Sequence, residues 1–306
     1  MRKHCLRNFF RFCLYSTLIF VLCISNGDSQ TVCSTTGNAN NCKADLKSAG
    51  EKFKWELESA HRCNIRRVEI KNLFTLFKSG LLPPLYHEPL VIYSDDISKA
   101  DLSNDGMCSK LSEITSLQNI TSTLPDEFEV TLSSSNSFSA HRQTIPLTQY
   151  LNETLTSETL PHHLSNETWY LFGETYSDEW QNMLSDFCYP PCQTCTKDLS
   201  ALSFGIGGRG SGVQWHTHGP GFSLSIHGRK HWILYPPEDK PSYDPDYTSR
   251  YWMEETYTKL PEESLPFECT LSPGEQLYFP DLWHHATINL DSYTAFVSTF
   301  TTEHGF

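Results

Sequence analysis

Val213-Gln-Trp-His216-Thr-His218-Gly-Pro-Gly-Phe222-Ser-Leu-Ser-Ile226-His-Gly228-Arg-Lys230 is the stretch whose reading decides the fold. Phe222, Leu224 and Ile226 alternate with Ser223 and Ser225, which predicts a strand with one buried face. Gly228-Arg229 then supplies a hairpin turn. Before the strand, Val213 to His218 also has an extended pattern, so His216 and His218, two residues apart, leave the same face. That spacing suits two ligands of one metal ion, and the Gly219-Pro-Gly221 turn puts the pair at a strand end where a site can open. The same pair also reads as the polar, solvated end of a strand.

Similar short β-prone segments continue on both sides. Residues 202–206, 213–218, 222–226, 231–235, 276–279 and 293–300 are rich in β-branched and aromatic residues and separated by Gly and Pro, which predicts a sandwich or barrel. Lys230 shares parity with Trp232 and Leu234 and so faces inward if its segment is a strand, although a hairpin lysine in water fits the same sequence. Downstream, Pro273-Gly274-Glu275 turns the chain before Leu277-Tyr-Phe279, and His284 and His285 must point to opposite faces of the next extended segment. Upstream, apolar residues at helical spacing from Glu51 to Leu82 predict one or two helices, ended by Pro83-Pro84. Residues 89–93, 127–132 and 169–172 read as strands and 177–187 as a helix.

Taken in order, His-x-His at 216 to 218, Gly228-Arg-Lys230 with Trp-Ile-Leu-Tyr-Pro-Pro237, and Gly274-Glu-x-Leu-Tyr-Phe-Pro280 before Trp283-x-His285 resemble the core of JmjC dioxygenases. The resemblance runs more loosely from Cys63 to Phe300 and leaves the first sixty residues out. It implies a double-stranded β-helix of the cupin, or jelly-roll, type, mainly β with flanking helices. In that family two histidines and a carboxylate hold Fe(II) on one triangular face, leaving positions for 2-oxoglutarate and oxygen. By position, His216 and His285 correspond to the first and last ligands, and His218 takes the place of the carboxylate. Lys230 matches the lysine that receives the distal carboxylate of 2-oxoglutarate, and Val213 stands where the family often has a hydroxyl. Trp215 and Trp283 flank the ligand positions as water-excluding or plain core aromatics. Three imidazoles give the site one negative charge fewer than the family pattern, so metal binding and oxygen chemistry separate as questions.

The 306 residues carry a formal charge of −13, which offers no basis for wrapping nucleic acid. The basic start at Arg2, Lys3, Arg7 and Arg11 followed by an apolar run from Phe12 to Ile24 predicts a signal peptide over 1–27, or an uncleaved anchor that would be the chain's one tie to a membrane. Residues 28–50 read as a polar linker, 51–200 as helical and β elements packing on the core, and 201–306 as the JmjC core. Cys33, Cys42, Cys63, Cys108, Cys188, Cys192, Cys195 and Cys269 suit disulfides in an oxidising compartment. Within them, Cys192-Gln-Thr-Cys195 leaves structural disulfide, redox pair and half a zinc site open. Sequons at Asn119, Asn152 and Asn166 agree with a secretory route. The chain ends in Glu303-His-Gly-Phe306, which is not a Lys-Asp-Glu-Leu signal, so residence in the endoplasmic reticulum lumen is implied by the resemblance, with secretion as the alternative. Two functions follow: a regulatory or interaction protein acting on luminal proteins, or an Fe(II)/2-oxoglutarate-dependent hydroxylase of the secretory pathway.

Overall fold

The computed structural model describes residues 57, 60, 62–80, 86–94, 107–155, 164–173 and 175–301. The expected signal segment and polar linker lie outside them. Twelve strands are present among the described residues: β1 (Arg66–Glu69), β2 (Leu90–Tyr93), β3 (Glu129–Ser134), β4 (Arg142–Pro146), β5 (Trp169–Phe172), β6 (Ser200–Gly207), β7 (Gly221–His227), β8 (Lys230–Tyr235), β9 (Phe267–Leu271), β10 (Gln276–Phe279), β11 (His284–Asn289) and β12 (Thr294–Thr301). They form a nine-stranded sheet in the order β1-β2-β10-β7-β12-β6-β5-β3-β4 and a three-stranded sheet in the order β11-β8-β9. Apart from the parallel β1-β2 pair, the ladders are antiparallel.

From β7 onward the chain crosses from the large sheet to the small one for β8 and β9, returns to the large one for β10, crosses to the small one for β11 and returns for β12, which is the jelly-roll pattern of a double-stranded β-helix. Trp232 of the small sheet stacks on Phe279 of the large one at 5.6 Å, so the two sheets face each other. The predicted alternation decides which side is which. Ser223, Leu277 and Ser298 share one row of the large sheet and face the small sheet. Phe222, Leu224, Ile226, Tyr278 and Val297 face away, into a cluster with Ile70 and Leu73 of the helix Ile70–Lys78 and Trp180 and Met183 of the helix Asp178–Met183.

Two sequence expectations change. The helical pattern over Glu51 to Leu82 contains β1, so Val68 belongs to a strand; the helix begins at Ile70, capped by the Glu69 side chain on the Lys71 and Asn72 amides. Val213 to His218 is not a strand. It meets β11 through the bridge between His216 and His285 and through the Thr287 amide, which donates to the Val213 carbonyl at 2.9 Å. The Val213 amide goes back to the Thr287 hydroxyl at 3.1 Å and not to a carbonyl, so no second bridge forms there. Cβ atoms are also excluded at Gly212, where one would overlap the Thr287 carbonyl, so this segment lies hard against β11.

Cys63 is bonded to Cys269 of β9, Cys192 to Cys195, and Cys188 is also disulfide-bonded. The bond between Cys192 and Cys195 leaves neither thiolate for a zinc ion, and it is common to the structural and the redox readings of that motif. The Cys63 link clamps the segment before β1 onto the small sheet, helped by Asn64, whose amide donates to the Glu268 carbonyl at 3.1 Å.

Candidate functional site

The bridge between His216 and His285 brings together two residues 69 positions apart: each backbone amide donates to the other's carbonyl, at 3.1 and 3.0 Å. The Leu282 amide donates to the His218 carbonyl at 3.0 Å and ties in the third histidine. Ring centroids lie 4.2 Å apart for His216 and His285, 4.6 Å for His218 and His285 and 5.3 Å for His216 and His218. One ring nitrogen from each falls within 4.8 Å of the other two. His284, on the opposite face as its parity requires, is absent from this cluster.

Each imidazole is oriented through its far nitrogen. Nδ1 of His216 meets the Gln214 carbonyl at 2.9 Å, that of His218 the Gly219 carbonyl at 2.8 Å, and that of His285 the Trp283 carbonyl at 2.9 Å. A carbonyl oxygen only accepts, so all three Nδ1 atoms carry the proton and all three Nε2 lone pairs are left for a ligand. His285 Nε2 and His218 Nε2 consequently face each other at 3.1 Å as two acceptors, an arrangement that is repulsive unless a cation lies between them. Burial, reinforced by the neighbouring imidazoles, holds the His285 pKa well below normal and that of His216 down to about 4; burial also lowers His218. Neutral imidazoles with fixed tautomers are the form that binds a divalent metal.

Along the inner face of the small sheet, His285 is followed by Thr287 and Asn289 on β11, paired with Leu234, Trp232 and Lys230 on β8. Lys230 is 2% exposed, which rules out the hairpin lysine in water. Its Nζ donates to Asn289 Oδ1 at 3.1 Å and sits 3.9 Å from the Phe296 ring centre, and among the described residues no carboxylate pairs with it. Burial pulls its pKa down to about 7. A buried ammonium with one neutral acceptor is costly on its own and can receive an anionic group. Phe279 and Phe300 enclose His218 at 5.2 and 5.1 Å. Trp215, fully buried, packs behind the small sheet against Trp252, and Trp283 packs on Phe267, so both are core aromatics. Asn289 and Thr287 escaped the sequence reading, although their even spacing from His285 in an extended segment points to them.

A family model described as a cupin-like domain matches residues 109–302, more than half of the chain. The chain belongs to the cupin-like JmjC family. Human JmjC domain-containing protein 8 is 44% identical over 171 residues, covering 56% of this chain and 64% of that protein. The mouse protein of the same name is 42% identical over 192 residues, covering 63% and 70%. Mouse 2-oxoglutarate and iron-dependent oxygenase JMJD4 is 33% identical over 78 residues, 23% of this chain and 18% of that protein. JmjC cupins generally bind Fe(II) and 2-oxoglutarate, and the metal-ligating cluster among the described residues of this chain consists of three histidines.

Proposed function

We propose that this chain is a luminal JmjC protein of the endoplasmic reticulum in which His216, His218 and His285 hold one divalent transition metal and Lys230 receives the far carboxylate of 2-oxoglutarate. On this reading it is a regulatory protein that engages secretory-pathway proteins, its metal and oxoacid serving as bound ligands more than as reagents. The carrying observation is the cluster of three outward-fixed Nε2 lone pairs, two of them 3.1 Å apart. Fe(II) bound there would supply a place for oxygen and oxoacid to meet, but the missing carboxylate leaves the ion one negative charge short of the family's ligand field. The luminal setting is supported by the N-terminal apolar run, the disulfides and the exposure of Asn119, Asn152 and Asn166.

The second reading, an Fe(II)/2-oxoglutarate-dependent protein hydroxylase, draws on the same buried Lys230, whose hydrogen-bond acceptor is Asn289 Oδ1 and which has no carboxylate partner among the described residues. Metal analysis and anaerobic 2-oxoglutarate titration of the purified protein beside His218→Asp separate the two. Binding by both, with product from the variant only, supports the regulatory reading. Turnover by the wild type supports the hydroxylase, and a wild type that binds neither metal nor acid sinks both.

A further inference from the structure

Beside Lys230, the small sheet holds a buried donor that lacks an acceptor. Trp232 is 4% exposed, and its indole Nε1 has no hydrogen-bond acceptor. A buried N–H left unpaired is costly, and beside a buried cation it suits an acceptor from outside the chain. The residue's place says what kind. Trp232 lies on the inner face of β8 between Leu234, opposite His285, and Lys230, opposite Asn289. Its ring lies 5.8 Å from that of His285 and 6.0 Å from Lys230 Nζ, so it bridges the histidine cluster and the buried cation. Its cross-strand partner Thr287 has its hydroxyl oxygen engaged by the Val213 amide, which leaves the hydroxyl proton available in the same row. Opposite, Ser298 bonds Ser223 at 3.2 Å. The neighbourhood therefore offers donors and one cation.

Trp215 Nε1 is also unpaired, but it sits in the apolar cluster of Ile233, Trp252 and Met253 on the other face, with no cation beside it. It carries no such implication.

We infer that the Trp232 indole N–H is a ligand contact which, with Lys230, forms a two-donor subsite for the carboxylate of a dicarboxylate reaching inward from the histidine cluster. It supplies the neutral hydrogen bond that Val213 cannot give. The inference rests on the oxoacid reading of the site and deepens it.

The test uses the full chain loaded with zinc, which is diamagnetic, and 2-oxoglutarate as the probe. In protein carrying 15N-labelled indoles, the Trp232 Nε1–H resonance, assigned through Trp232→Phe, should move downfield on titration while that of Trp215 stays in place. Trp232→Phe keeps the ring packing on Phe279 and should weaken 2-oxoglutarate about ten- to a hundredfold, as expected for a bond to a charged acceptor. Wild-type binding with an unmoved Trp232 resonance overturns this inference and leaves the site reading standing. No binding by the wild type overturns both.

Discussion

Replacing Lys230 with methionine should make the ligand-free protein more stable, and the gain should vanish with rising pH. An ordinary lysine titrates at 10.5 and this one at about 7, because burial disfavours its charge. At pH 6 the group is charged in both folded and unfolded chains, and the difference corresponds to about 5 kcal/mol of unfavourable charge burial. Lys230→Met removes that cost but strands Asn289 Oδ1, at about 1–3 kcal/mol, and gives up the contact with the Phe296 ring, at about 1–2 kcal/mol. A net gain of about 2 kcal/mol is expected at pH 6, or about 4–8 °C in melting temperature for a domain of this size. As pH rises from 7 to 10.5 the unfolded chain holds the proton that the folded chain has lost, so the wild type recovers stability and the advantage of the variant disappears. Thermal melts of metal-free protein at pH 6, 8 and 10 read this directly. A variant that is less stable at pH 6, or a difference that ignores pH, would refute the account of Lys230 as a cation awaiting an anion. The same variant should no longer be stabilised by 2-oxoglutarate.

Three further outcomes are expected. The histidines are held neutral by burial, so stability is full above about pH 6.5 and falls as pH drops toward the folded pKa; with His216 at about 4, that residue alone accounts for a loss of about 2 kcal/mol between pH 6.5 and 5, measurable as a lower urea midpoint of the metal-free protein. Removing the disulfide with Cys63→Ser and Cys269→Ser, which are 206 residues apart, should cost up to about 5 kcal/mol in denaturant unfolding; an unchanged midpoint would mean the hydrogen bonds of Asn64 hold the segment alone. Gly205→Ala should cost about 1–3 kcal/mol and weaken 2-oxoglutarate, since a Cβ there overlaps the Phe296 ring that Lys230 rests on; retained affinity in calorimetry would show that the ring can move without disturbing the lysine.

Period-two alternation made most of the barrel legible. Strands β5 and β10 match their predicted bounds, and Lys230 and His285 face inward as parity requires. What alternation cannot report is pairing. Arg66 to Glu69 is too short and too charged to read as a strand, and it becomes one only because Leu90 to Tyr93 lies beside it. Conversely, Val213 to His218 has the pattern of a strand and fails to be one because a side-chain hydroxyl captures its amide. Phe267-Glu-Cys-Thr-Leu271 does alternate and went unread, its inner Cys269 already committed to Cys63. In the site, histidine spacing gave the candidate ligands, whereas the carbonyls that fix each Nδ1 belong to loop backbone and leave no mark on residue type.

That His216, His218 and His285 share one ion is tested most directly by X-ray absorption at the metal edge of the cobalt-loaded protein. Three imidazole nitrogens at about 2.0–2.2 Å are expected, falling to two in His218→Ala. Metal that washes out on dialysis, or a spectrum that His218→Ala leaves unchanged, would contradict the three-histidine site.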